Sequence, residues 1–163
     1  MADDTLLCGK RGDPSAVTVK AYLDWEKEHD RGWSMKPQFI RQRLFERYID
    51  PVRALDLHPD TKDKKNGFYI LAVSCLLIET IVSFWRGWET TERTKKQKGK
   101  GARAFKMFFR TQPRFEGFRG TKFYRNVRCG ILHQGETTGG WLVERNGRLF
   151  DGQKRINAKL FHR

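Results

Sequence analysis

Residues Phe68 to Trp85, FYILAVSCLLIETIVSFW, form an eighteen-residue run with one charged side chain, Glu79, and neither Gly nor Pro. A run of that length is too long for a strand and predicts a helix. It reaches the lower limit for a membrane span. However, Glu79, the nearby Ser74, Thr80 and Ser83, and the lack of a second such segment in the sequence argue against a span. The run instead predicts the central helix of a bundle, apolar nearly all round because other helices surround it. A carboxylate on such a helix is costly unless paired or hydrogen-bonded. Glu79 therefore either holds a buried Arg or backbone end for structural reasons, or orients a functional guanidinium, with Arg128 and Arg125 as the two candidates.

The remaining chain supplies partners for this helix. Asp13 or Ser15 around Pro14 predicts a helix start, with the helix running to about His29 and ending at Arg31-Gly32; residues 1–13 are expected to be loose. A second amphipathic helix opens at Ser34 or Lys36-Pro37. Its Phe39, Ile40, Leu44, Phe45, Tyr48 and Ile49 recur at three and four residues, and Pro51 bends or ends it. Residues 58–66, HPDTKDKKN, read as a polar loop. At 163 residues the chain is expected to be one domain, and 38% hydrophobic content with 13% aromatics predicts a folded one. Three widely spaced cysteines, Cys8, Cys75 and Cys129, fit free thiols in a reducing cytoplasm. The start, Met1-Ala-Asp-Asp, has no signal-peptide character.

Charge narrows the partners. A net charge of +14 with a pI near 10.1 attracts polyanions, and nucleic acid is the first candidate. The alternative is a soluble protein that is simply basic. Residues 91–120 concentrate this charge, with ten Lys or Arg against Glu92 and Glu116. Residues 91–104 predict a mobile basic loop around KKQKGKG, in which Lys95, Lys96, Lys98, Lys100 and Arg103 are candidate RNA contacts. Ala102 to Arg110 predicts a short helix. The cations alternate with Phe105, Phe108, Phe109, Phe115 and Phe118, a composition suited to holding single strands by stacking and phosphate contact. Equally, the segment reads as a solvated insertion between two bundle helices.

A further helix, near Gly120 or Thr121 to Gly135, carries the chemistry. At roughly 100° per residue, Phe123, Tyr124, Val127 and Ile131 form an apolar stripe. Arg125, Asn126, Cys129 and His133 share another face, with Arg128 on the far flank of the stripe, and Gly130 allows another surface to approach. After Gly139-Gly140, Asn146-Gly147 between WLVE and RLF predicts a β-hairpin over 141–151. The tail RINAKLFHR reads as the start of a helix that stops within two or three turns. Cys129 and His133 at i,i+4 could bind a metal, but four zinc ligands are not assembled in the sequence, so no metal or cofactor is expected. No P-loop, dinucleotide fingerprint or HExxH occurs.

Arg128, four intervening residues and His133 match the R-x4-6-H motif of HEPN domains, and the surrounding FYRNVRCGILHQGE resembles the motif helix of bacterial members. The likeness covers about residues 36–138, with Phe68–Trp85 resembling the family's upstream helix. This resemblance implies an all-α, up-and-down helical bundle (HEPN-like), here with the small C-terminal hairpin, and a metal-independent endoribonuclease acting in defence or as a toxin. It implies a homodimer whose two motifs share one composite cleft, and a protein antitoxin or defence-system partner. In that reading His133 is the base or acid and Arg128 binds and stabilises the phosphate. Asn126 positions substrate or His133, Arg125 makes a second phosphate contact, and Glu79 supports. Two rivals stay open: a non-catalytic RNA-binding or assembly module, and the helical subunit of a nucleotidyltransferase pair. Control by nucleotidylation of a tyrosine two residues after the His is disfavoured, because that position is Gly135.

Overall fold

The structure, a computed structural model, describes residues 5–27, 29–60, 65–92 and 99–163. It is mostly helical with two small two-stranded sheets. Where one domain is expected from the sequence, the residues gather into two compact units, Met1–His58 and Pro59–Arg163.

The first unit opens with β1 (Leu6–Cys8) paired antiparallel to β2 (Val17–Thr18), so this end is not loose. Asp13 accepts both the backbone N–H and the hydroxyl of Ser15 at 2.8 Å, and this tight turn delays the helix predicted from Pro14. Helix α1 begins only at Val19 and runs to Lys27; α2 (His29–Leu44) continues through Gly32 and Pro37, where the sequence predicted a break. Cys8, Val17 and Phe39 form a small core with Tyr22 and Trp25 against it. Pro51 has no N–H to donate to the carbonyl four residues back. The ladder ahead of it widens into a π-helical turn over Phe45–Ile49, in which the Asp50 N–H reaches Phe45 O, and α3 (Asp50–Leu57) follows.

The second unit is organised on α4 (Gly67–Arg86). Ile70, Leu71, Ser74, Cys75, Ile78, Glu79 and Val82 recur at three and four residues and are buried as one face. The opposite face is not covered: Tyr69, Leu76 and Phe84 are 42–49% exposed, so the expectation of burial all round is corrected. Only the stripe that meets α5 (Gly101–Thr111), α6 (Cys129–Gln134) and α7 (Ala158–His162) is taken out of water. By length and composition alone α4 could cross a membrane. Gly87, left-handed at φ 59°, ends it by letting the Trp88 N–H turn back to Ser83 O at 3.0 Å.

Aromatic rings fill the space beside α4. Phe109, Phe118, Phe161 and Phe123, taken in that order, lie with centroids 5.2–5.4 Å apart in successive pairs. Phe150 stacks on Phe118 at 4.6 Å and on Trp141 at 5.6 Å. Phe105, Phe109, Phe115 and Phe118 are buried, so these four phenylalanines of the basic segment are core and are not presented for stacking, whereas half-buried Phe108 stacks on exposed Trp85. Their hydrophobic transfer favours this, at about 2 kcal/mol or more per ring.

The predicted 141–151 hairpin does not form. Gly147 does turn at φ 82°, but β3 (Leu142–Glu144) pairs in parallel with β4 (Arg155–Asn157), and residues 148–151 contribute one antiparallel bridge, Phe150 to Ile156. Ile156 is fully buried, and Phe150 belongs to the aromatic stack. The Asn157 side chain donates to Gly147 O at 2.9 Å, and its Oδ1 accepts from Leu160 N at 3.1 Å as the cap of α7. Burial of this strand and capping by Asn157 outweigh the local turn signal.

Candidate functional site

The motif segment is helical but not uniformly α. Tyr124–Arg128 is a π-helical turn, with the Cys129 N–H bonded to Tyr124 O, and α6 follows directly. One extra residue in a turn rotates everything after it relative to everything before. The apolar stripe survives, because Phe123, Val127 and Ile131 are buried. Arg128, expected on the flank, instead faces α4.

There it meets Glu79. Arg128 Nε donates to Glu79 Oε1 at 2.5 Å, the two side chains being 15% and 9% exposed. The second carboxylate oxygen accepts the Thr91 hydroxyl at 2.7 Å. Of the two arginines considered for Glu79, the structure selects Arg128. The guanidinium also lies over the Tyr124 ring, 5.6 Å from its centroid. Burial alone would lower the Arg128 pKa; the hydrogen bond and charge of Glu79 outweigh it and raise the value, so the cation is permanent.

With Nε fixed, the outer nitrogens remain. Arg128 Nη1 lies 3.3 Å from His133 Nε2. A guanidinium can only donate, so a hydrogen bond in this contact uses the lone pair of Nε2 as acceptor. His133 itself is exposed, one residue before the end of α6, where left-handed Gly135 (φ 71°) terminates the helix. Arg128 and His133 thus form one unit with a fixed cation and an accessible base.

The chain matches no family model, no curated protein and no solved structure. Function is therefore read from the site.

The other predicted residues divide. Asn126 turns to the segment after α6: Thr138 N donates to Asn126 O at 2.8 Å, and the Thr138 hydroxyl sits 3.4 Å from Asn126 Oδ1. Its place is to anchor that return segment. Gly130 does admit a close neighbour, and it is the chain's own: a side chain there would collide with the Glu136 carbonyl. Arg125 is exposed and lines a cleft beside α5. Lys100 and Arg103 stand over the Trp88 ring at 5.3 and 5.7 Å, which gives them a packing role as well. Lys95, Lys96 and Lys98 lie outside the described residues. Lys100 N bonds Thr91 O at 2.7 Å, so the ends of the basic loop are joined beside Glu79.

Thr91 and Tyr124, the side partners of the Glu79–Arg128 pair, are the functional neighbours that sequence reasoning missed. Thr91 carries no signal in sequence, and Tyr124 was read only as part of the apolar stripe. Burial first, then the adjacent Cys129, pushes the Tyr124 phenol above its ordinary value. Cys75 beneath is fully buried, and that burial raises its thiol pKa strongly. Among the described residues no group of three or more His, Cys, Asp or Glu side chains is placed to hold a metal ion.

Proposed function

We propose that this chain is a metal-independent endoribonuclease of the HEPN type, built as a helical bundle and acting as a cytoplasmic homodimer in defence or as a toxin, under a protein antitoxin or similar partner. The observation that carries the reading is the contact of Arg128 Nη1 with His133 Nε2 at 3.3 Å, with Arg128 braced from behind by Glu79. A histidine works as acid or base near neutral pH, and each such role contributes roughly 10²–10⁴ in rate. An arginine fork supplies the donors that a phosphate needs as charge develops on it.

One motif offers one histidine, and the reaction needs a base and an acid. Two copies related by a twofold axis supply both. In this mechanism His133 of one protomer takes the proton of a ribose 2′-hydroxyl, and that oxygen attacks the adjacent phosphorus. The bond to the 5′-oxygen breaks, and His133 of the other protomer protonates the departing oxygen. The products are a 2′,3′-cyclic phosphate and a 5′-hydroxyl, and the two Arg128 side chains hold the phosphate oxygens throughout.

The test uses purified full chain and end-labelled RNA in EDTA. Cleavage giving cyclic-phosphate ends, lost in His133→Ala, supports the enzyme. The second reading, a non-catalytic RNA-binding module, is favoured by the commitment of Arg128 Nε to Glu79, which is also what a purely structural ion pair looks like. RNA retained without cleavage, and unchanged by His133→Ala, would establish that module instead. A co-purifying second protein would point to the nucleotidyltransferase pair.

A further inference from the structure

Helix α4 turns an apolar face outward as well as inward. Its buried stripe carries Glu79. On the other side Tyr69, Leu76 and Phe84 are 48%, 42% and 49% exposed, with half-buried Val73, Leu77 and Thr80 between them. The only other charged side chain of the helix is Arg86, its last residue, so no charge stands within the outer stripe. A helix packed on one side ordinarily shows charged and polar residues to water. A contiguous exposed apolar patch instead marks a contact with protein or membrane. Cations stand at both ends of this one. Exposed Lys65 precedes the helix, and exposed Arg86 closes it, where Lys100 and Arg103 also lie over the Trp88 ring at 5.3 and 5.7 Å.

We propose that this outer face of α4 seats the protein on an anionic lipid surface, lying in the headgroup layer without spanning the bilayer. The inference goes beyond the nuclease reading and does not depend on it. Twenty residues make a helix about 30 Å long, and such a face sinks roughly 5–10 Å into the boundary of headgroups and acyl chains. Hydrocarbon offers no hydrogen-bond partner, so polar groups in the stripe must be answered within the chain. Thr80, in the middle of the stripe, meets this condition: its hydroxyl donates to Leu76 O at 2.8 Å. Tyr69 at one end carries a hydroxyl that stays among headgroups, and Trp85, 53% exposed, adds an amphipathic ring at the other. The charges fit the same placement. Lys65 and Arg86 meet lipid phosphates, and a chain of net charge +14 is drawn to an anionic leaflet. A second copy on the same stripe would set Lys65 and Arg86 against their own counterparts, whichever way the two helices ran. A span would require the other face to come away from α5, α6 and α7 and the Glu79–Arg128 pair to be dismantled.

Binding is read by co-sedimentation of the purified full chain with vesicles of phosphatidylcholine, alone or with about one-third phosphatidylserine. The parent is expected to bind the anionic vesicles and to bind the neutral ones at least about tenfold more weakly. Leu76→Gln/Phe84→Gln is expected to weaken binding to the anionic vesicles by about tenfold or more, through apolar area no longer buried. Leu57→Gln, at a leucine 78% exposed in the first unit, leaves it unchanged. Lys65→Ala/Arg86→Ala is expected to lower it roughly fivefold for each charge removed. All the substituted side chains are exposed, so the fold is kept, and thermal unfolding verifies it. A wash in alkaline carbonate is expected to strip the bound parent; a protein that resists it would span the bilayer and overturn the interfacial placement. A parent that does not sediment with anionic vesicles would also overturn the proposal. So would binding unmoved by Leu76→Gln/Phe84→Gln, which assigns adsorption to net charge alone. A parent dimer that this double variant splits, seen by light scattering without vesicle binding, would overturn it in favour of a second copy on the same face.

Discussion

Glu79→Gln removes a charge from the centre of the second unit and changes almost no volume. Arg128, 15% exposed, then keeps its positive charge without a carboxylate, since the Tyr124 ring supplies only a weak substitute. Removing one member of a buried ion pair costs about 3–5 kcal/mol. Residual exposure of Arg128 places this site near the lower end, about 3 kcal/mol. For a chain of this size each kcal/mol moves Tm by about 2–4 °C, so the variant is expected to melt about 6–12 °C below the parent. Glu79→Leu/Arg128→Met, which removes both charges, is expected to be more stable than the two single changes sum to, with a coupling of about 2 kcal/mol in the cycle. Catalysis adds a separate readout. A guanidinium free to swing no longer holds its Nη1 on His133, and misplacement of this kind costs about 10²-fold. The loss should fall on kcat more than on KM. Calorimetric unfolding of Glu79→Gln and of the four members of the cycle (parent, Glu79→Leu, Arg128→Met and the double variant), with single-turnover cleavage alongside, decides the matter. A Glu79→Gln protein melting within a degree of the parent, or a coupling near zero, would refute the view that this pair is a buried clamp.

Three further outcomes follow from particular contacts. Gly130→Ala forces a Cβ into the Glu136 carbonyl and is expected to destabilise by about 2 kcal/mol and shift residues 136–138, readable from denaturant unfolding and amide exchange. Asp151 is held below the usual carboxylate range: its slight burial would raise the value, but the backbone N–H groups of Arg155 and Gln153 outweigh it. Because the folded value is lowered, the stabilisation of this turn is fully present above about pH 4 and is lost as pH falls further; amide exchange at Gln153 and Arg155 that does not rise over this interval would contradict it. Iodoacetamide should label half-buried Cys129 before Cys8 and Cys75, both buried with raised thiol pKa values, as mass mapping of the native protein would show.

Local pattern alone was enough for several elements. The apolar run gave α4 within a residue at each end, the three- and four-residue spacing gave the buried stripe of Phe123, Val127 and Ile131, and Gly135 marked the end of the motif helix. These features depend on neighbours in sequence, where burial period and backbone freedom act directly. Glu79 also announced itself, because an isolated carboxylate in an apolar helix must find a partner.

Which partner it found was a matter of three dimensions. A 100° wheel places Arg128 on a flank; the π turn at Tyr124–Arg128 turns it onto α4, and no residue type in that stretch signals a widened turn. The strand at Arg155–Asn157 displaced the expected hairpin because Ile156 and Phe150 find a better-packed interior than the Asn146-Gly147 turn alone provides. Four of the five phenylalanines of the basic segment, Phe105, Phe109, Phe115 and Phe118, went into the core for the same reason. Sequence by itself therefore determined which side chains must leave water and which charges must be answered. Only the tertiary structure decided by which neighbour, because register, strand pairing and the meeting of Glu79 with Arg128 are settled by packing between segments far apart in the chain.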